Sequence, residues 1–362
     1  MQSFDADISH LFVSASHSLS LFLARSVHRL AVELPRWFTS VNHRFHWAYL
    51  ASFAVLGVWA WWRHYRPTAR GVLAFLFPPA VYRHPSALID YQLVLANRLL
   101  GPASLFSGLL FRSASIASVA HATQQGLAIL FGTVLTQAHW TFATALAFAL
   151  AMTVARDFVT FLTHLLHHRV PLLWAFHQVH HSAQVLTPVT VFRKHPVYNV
   201  LEYGMSILLI GPLQGVIALC FVGHAAPVTL FGANIIFALF HLAGANLRHS
   251  HIWLSFGPWL SHVLSSPAQH QIHHSKAAQH ANKNFGEVFS LWDWLFGTLY
   301  VPGRAPEMLE FGLAGEGADE HHSLWGVYFQ PFITCAALLR PARAPQPDSL
   351  PLAMPARALS RK

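Results

Sequence analysis

Charge is scarce in this chain. Asp and Glu together number 14 and Lys and Arg 23 among 362 residues, so only 10% of positions are charged, against roughly 25% in an ordinary soluble domain. Such a deficit argues against a soluble globular protein. With 13% aromatic residues it also argues against disorder, which needs high charge and few aromatics. Cysteine is nearly absent. Cys220 and Cys335 both lie in apolar stretches, which excludes a disulfide framework and a CxxC metal site. No GxGxxG is present, so the chain carries no Rossmann or flavin fingerprint of its own. Nor does the N-terminus read as a cleavable signal, because Arg25 and Arg29 follow the apolar run Leu19–Leu23 instead of preceding it.

What fills the space is hydrophobic: 54% of residues, with 28 Phe and 12 Trp and a mean hydropathy of +0.40. Five stretches approach the ~20 residues that cross a bilayer: Trp47–Trp62, Ile116–Leu135, Thr141–Thr163, Met205–Val222 and Val228–Leu247. The last four pair into hairpins around Thr136–Trp140 and Gly223–Pro227. Leu88–Phe111 is interrupted by Asp90, Arg98, Gly101 and Pro102 and reads as an interfacial or broken helix. No Lys or Arg occurs between Arg112 and Arg156 or between Lys194 and Arg248. The hairpin turns therefore face away from the cytoplasm, and residues 164–203 and 248–300 share its side. The net charge of +9 comes from scattered residues flanking apolar spans, which read as membrane anchors and not as a nucleic-acid footprint. The expected organisation is a membrane-associated region with one transmembrane helix over 1–111, a domain over 112–303 and a C-terminal segment over 304–362. From Arg340 that segment is rich in Pro, Ala and Arg and is expected to be disordered.

One abundance does not fit a plain membrane protein: the chain has 27 histidines. Two copies of HxxHH, each followed by Ser, stand at His177-Gln-Val-His180-His181-Ser182 and His270-Gln-Ile-His273-His274-Ser275. About 0.15 such matches are expected by chance from this histidine content. On a helix, positions i, i+3 and i+4 share a face, so each box aims three imidazoles at one volume. His164 and His168 form a further i, i+4 pair. Neutral imidazole is a ligand for Zn, Cu and Fe. The other histidines, among them His10, His121 and His321, carry no such spacing.

Around these boxes stand Asp157-Phe158, Arg169-Val-Pro, Thr190-x-x-Arg193-x-His195-Pro196, Asn282-Lys-Asn-Phe-Gly286 and Trp292-Asp293-x-Leu-Phe-Gly297-Thr298. Over about 140–303 the pattern resembles the fatty acid hydroxylase/sterol desaturase superfamily. The resemblance implies an all-α integral membrane protein, with transmembrane helical hairpins carrying a cytoplasmic, histidine-rich di-metal domain. It implies two non-heme iron ions, O2 as co-substrate, and hydroxylation or desaturation of a lipid C–H bond, of sterol or fatty-acyl type. His164, His168, His177, His180, His181, His270, His273 and His274 correspond to iron ligands. A ninth is expected upstream of the last box, where Gly244 departs from the commoner His-x-Asn; His249 is favoured, ahead of His251 and His241. His167 falls out of register with the first box. His195 reads equally as a support for the ligands or as a structural residue. Asp157, Glu202, Glu287 and Asp293 are expected to accept from imidazole N–H groups, with a local cap or turn as the other reading of Asp293. Electrons would come from a separate cytoplasmic protein, ferredoxin or cytochrome b5-like, attracted by Arg193, Lys194, Arg248, Lys276 and Lys283; the same residues would equally suit anionic lipid. The competing class is a metal-binding or haem-carrying membrane transport or electron-transfer subunit.

Overall fold

The computed structural model describes residues 31–66, 71–100, 115–132, 138–222, 229–230, 233–315 and 321–340, with a few positions between 20 and 28. The helices are α1 (Trp47–Ala60), α2 (Val72–Leu76), α3 (Pro79–Tyr82), α4 (Pro85–Leu100), α5 (Ile116–Phe131), α6 (Phe142–Arg169), α7 (Pro171–His181), α8 (Pro196–Cys220), α9 (Ile235–Leu242), α10 (Gly257–Leu260), α11 (Pro267–His273), α12 (Leu291–Leu295) and α13 (Leu324–Leu338). The strands among the described residues are two-residue ladders, one joining Ala138–His139 to Phe221–Val222 and one closing Thr229–Leu230 on Ala233–Asn234.

Two helices, α6 with 28 residues and α8 with 25, are long and apolar enough to cross a membrane. At 1.5 Å per residue α6 runs about 42 Å, longer than the ~30 Å hydrocarbon layer. Its N-terminus is closed by a capping box between Thr141 and Thr144. Its end is set by Pro171: the residue before a proline avoids helical geometry, and Val170 turns out at φ −103° and ψ 114°. The proline then opens α7, so the first and second histidine groups meet at a corner. α8 starts on Pro196, with His195 Nδ1 accepting from Val197 N at 3.2 Å. It lies against α5 at close range because Gly211 and Gly215 carry no side chain. A Cβ on Gly211 would stand 2.9 Å from Val119, and one on Gly215 would collide with the Ala120 carbonyl.

The other expected spans differ. α1 has 14 residues and continues through a π-helical turn over Trp61–Tyr65. α5 stops at Phe131 before Gly132, whose φ is +72°. Val228–Leu247 does not form a span. Asn234 Oδ1 caps the amides of Ile236 and Phe237, α9 lasts eight residues, and Gly244 at φ +103° turns the chain into a buried 3-10 turn over Ala245–Leu247. Eight residues reach about 12 Å, far short of the hydrocarbon thickness. Leu88–Phe111 is not broken where it is described, since α4 runs unbroken through Asp90 to Leu100. Residues 101–114, the turn Gly223–Pro227 and the tail from 341 lie outside the described residues.

Bonds cross both expected domain boundaries. Asp90 of α4 reaches Arg193, and Tyr328 of α13 donates to Asn97 Oδ1 at 2.7 Å. Lys276 N donates to Glu310 O at 2.9 Å, and Phe176 of α7 packs edge-on to Phe332 of α13 with ring centroids 5.2 Å apart.

Candidate metal centre

The corner of α6 and α7, the turn after α9, and α11 bring nine buried or half-buried histidines together in two groups. His164, His168, His177, His181 and His273 form one; His180, His249, His270 and His274 form the other. Within each group the ligating atoms lie within 4.8 Å of one another. The groups abut, with the rings of His181 and His274 stacked at 4.6 Å. The paired boxes explain this division. In each HxxHH the adjacent last two histidines point about 100° apart on the helix, so His180 and His181, and likewise His273 and His274, serve opposite groups.

The remaining bonds of the rings decide what the groups can hold. Nδ1–H of His164 donates to Phe285 O at 2.9 Å, that of His273 to Lys283 O at 2.7 Å, and that of His180 to Arg193 O at 3.2 Å. A carbonyl only accepts, so each of these neutral rings turns an Nε2 lone pair inward. In the five-membered group all five Nε2 atoms are buried without a hydrogen-bond partner, a cost that a bound cation would remove. In the four-membered group the Nε2 atoms form a chain: His180 to His249 at 3.2 Å, His249 to His270 at 3.0 Å, His270 to His274 at 3.2 Å. Nitrogens at right angles on one ion, each about 2.1 Å from it, would stand about 3.0 Å apart. The donor set fits a metal in the five-membered group as it stands, and in the four-membered group once His270, whose Nδ1 accepts from Arg248, gives up its Nε2 proton. Burial holds His177, His180, His181, His249, His270 and His274 well below the ordinary histidine range, and His273 at about 4. The rings are therefore neutral near pH 7, as metal ligation requires.

The alternatives to these nine point elsewhere. His167 Nδ1–H donates to Thr163 O at 2.8 Å. His251 is bonded to Phe75 O at 2.6 Å and His241 to Phe237 O at 3.0 Å. His195 caps α8 and bonds Tyr328 O at 3.1 Å through Nε2, a structural role.

The carboxylates correct an expectation. Among the described contacts, Asp157 and Asp293 hold backbone, not imidazole. Asp157 accepts from Val288 N at 2.7 Å, Phe289 N at 3.0 Å and Trp292 Nε1 at 3.0 Å. Asp293 accepts from Phe285 N and Gly286 N, both at 2.8 Å, and from Thr298 Oγ1 at 2.6 Å. Together they fix the loop over residues 282–290, whose carbonyls in turn hold His164 and His273. Asn282 and Asn284 adopt left-handed conformations, with φ 57° and 59°, which Asn tolerates better than other side chains. Asn284 also ties the loop to α11 through Gln269 O at 3.1 Å. Glu202 pairs with Arg156. Burial alone would raise Glu287, but the charges of Lys194, Arg248 and Arg44 outweigh it and keep it below the usual range.

The expected basic docking face is also corrected. Arg193 and Arg248 are buried. Arg193 carries the ion pair with Asp90, whose Oδ2 accepts from Thr190 Oγ1 at 2.6 Å. Arg248 donates to Glu287 O at 2.6 Å and to His270 Nδ1 at 3.0 Å. Lys276 is paired with Glu310.

Among the described residues two cavities touch the nine histidines, and a larger one shares Thr160 and Glu287 with the smaller of them. One of about 40 Å³ is walled by His164, His177, His180, His249 and His270. A larger one of about 540 Å³ opens beside α6, α8 and α9, with Met152, Phe237 and Phe240 among its walls. A third of about 310 Å³ reaches His168, His181, His273 and His274 past Trp174 and residues 312–314.

Residues 149–298 match the fatty acid hydroxylase family. The ornithine lipid hydroxylase OlsE of Rhizobium tropici is 31% identical over 166 residues, 46% of this chain and 45% of that protein. Alkylglycerol monooxygenase of Homo sapiens is 28% identical over 142 residues, 39% of this chain and 28% of that protein. Cholesterol 25-hydroxylase of Homo sapiens is 30% identical over 161 residues, 41% of this chain and 50% of that protein. The matched part thus spans half or less of these relatives. No solved structure matches the chain.

Proposed function

From the premise that residues 149–298 are a fatty acid hydroxylase family segment, we propose that the chain is a membrane-bound, O2-dependent di-iron enzyme that hydroxylates a lipid C–H bond. The observation that carries the reading is the pair of buried histidine groups, five and four, each with its ligating nitrogens within 4.8 Å of one another. His164, His168, His177, His181 and His273 would hold one iron; His180, His249, His270 and His274 the other. When bound, the iron pair supplies the activation of O2 and the removal of hydrogen from an unactivated carbon. The protein's part is orientation and exclusion of water. The carbonyls of Phe285, Lys283 and Arg193 set which nitrogen of their imidazoles faces inward, and Tyr198 closes the small cavity with its ring 5.2 Å from that of His177.

The 540 Å³ cavity is the route for the lipid, opening beside the two long apolar helices. Multi-pass insertion with the histidines on the cytoplasmic side is the arrangement that the charge pattern supports. The 310 Å³ cavity gives a soluble donor of ferredoxin or cytochrome b5 type a second approach to the same histidines. The lipid hydroxylases among the relatives support hydroxylation as the outcome. A haem-carrying role is disfavoured because the histidines gather in groups of five and four, whereas a haem takes one or two axial imidazoles.

Metal analysis of the purified protein tests the reading. Two irons per chain, with an O2-dependent lipid product 16 mass units heavier, is the expected result; zinc alone or one haem per chain would overturn it.

A further inference from the structure

Arg156, Thr160, His164 and His168 recur at intervals of four in the unbroken helix α6 and therefore follow a slanted stripe along one side of it, turning about 40° at each step and about 80° from Arg156 to His164. Arg156 donates to Ser206 Oγ at 2.7 Å and to Glu202 Oε1 at 3.1 Å; Thr160 Oγ1 donates to the same Glu202 oxygen at 3.3 Å. Arg156, Thr160 and Glu202 all line the 540 Å³ cavity. Thr160 and Glu287 line both that cavity and the 40 Å³ space at the histidines. A long molecule lying in the large cavity thus reaches the histidines by passing between Thr160 and Glu287.

A charge placed in an apolar spanning helix is costly and marks a functional position. Asp157 next to it is consumed in holding the 288–292 segment. Arg156 holds no loop; its side chain is 51% exposed, and it lines the cavity. A guanidinium carries five N–H donors, more than Ser206 and Glu202 occupy.

We propose that this face of α6 is the substrate ruler: the polar head of the lipid binds at Arg156 and Glu202, and the carbon to be oxidised lies one turn beyond Thr160, beside His164. Eight residues separate Arg156 from His164, about 12 Å along the helix. The chemistry of the head follows from the charges. Arg156 is already balanced by Glu202, so this end of the cavity offers a free acid or phosphate no unmatched cation. The site fits a head that both donates and accepts hydrogen bonds without net negative charge, such as a glycerol, hydroxyl or amide. This rests on the reading of the chain as a lipid-oxidising enzyme.

The test is lipid retention without turnover. Purified protein in detergent is offered equal amounts of 1-O-hexadecylglycerol and hexadecanoic acid, and bound lipid is read by native mass spectrometry. The wild type is expected to retain the glycerol ether about tenfold over the acid, equivalent to about 1.4 kcal/mol. Arg156→Met is expected to lose most of that retention. Glu202→Gln, which keeps shape and removes one negative charge, is expected to admit the acid and narrow the ratio. Equal retention of the two lipids by the wild type, or an unchanged ratio in Glu202→Gln, would overturn the ruler. Iron measured in the same samples separates the two ideas: an iron-free protein with the selectivity intact would defeat the oxygenase reading and leave the head site standing.

Discussion

Asp90 and Arg193 form an ion pair of 2.9 Å from which water is wholly excluded, and the carbonyl of the same Arg193 holds His180. Residues 103 apart in sequence are thereby tied to one metal-facing ring. Removing one partner of a buried pair costs about 3–5 kcal/mol, because the other charge is left unmatched. Asp90→Ala is expected to lower the thermal midpoint sharply and to release metal from the four-histidine group before the five-histidine group. Unchanged melting would refute the account.

Three histidines compete on sequence for the ninth ligand position, and geometry separates them. His249→Ala is expected to lose about one metal per chain, since it takes one donor from a group of four. His251→Ala and His241→Ala, whose rings are bonded to Phe75 O and Phe237 O, are expected to keep both. Metal-to-protein ratios of the three variants provide the check.

Asp293 acts on the centre through the backbone. Asp293→Ala frees the amides of Phe285 and Gly286 and with them the carbonyl that orients His164. Loss of such an outer support weakens metal binding by about 10–100-fold, and chelator competition measures it. An affinity equal to that of the wild type would show that the loop holds its shape without Asp293.

His195 gives a pH dependence of defined sign. Burial lowers it to about 4, below its ordinary value of 6.5. Its contribution to stability is complete above pH 6.5 and is lost as pH falls toward 4, because the unfolded chain takes up the proton first. Near pH 5 the loss is about 2 kcal/mol at 1.36 kcal/mol per pH unit. His195→Asn, which retains a capping oxygen for Val197 N, should lose that much less stability than the wild type between pH 7.5 and 5. Parallel losses in the two proteins would remove His195 from the account.

The histidine boxes were legible because helical spacing is written into sequence: i, i+3 and i+4 stay together wherever the helix goes. The division of each box between two groups follows from the same periodicity. Contacts that close through backbone were not legible. Nothing in Asn282-Lys-Asn-Phe-Gly286 announces that the carbonyls of Lys283 and Phe285 alternate toward His273 and His164, and a carboxylate such as Asp157 looks the same whether it serves a ring or an amide. Asp90 was hidden because its partner lies far along the chain. Val228–Leu247 reads as a span by composition, yet Asn234 and Gly244 end its helix at both sides. Thr160 did carry a signal, four residues before His164, but only the cavities give that spacing a meaning.

The single-helix placement of Arg156 and His164 has a consequence for how such an enzyme can diverge. A rod of fixed pitch has no adjustable gap. The two positions stand about 80° apart around the helix, and inserting one residue between them would swing them to about 180°, onto opposite sides. The separation can change only by near-whole turns, in steps of about 5.4 Å. Variants of this chain would then be expected to shift their site of oxidation along a lipid in jumps of several carbons, and not one carbon at a time.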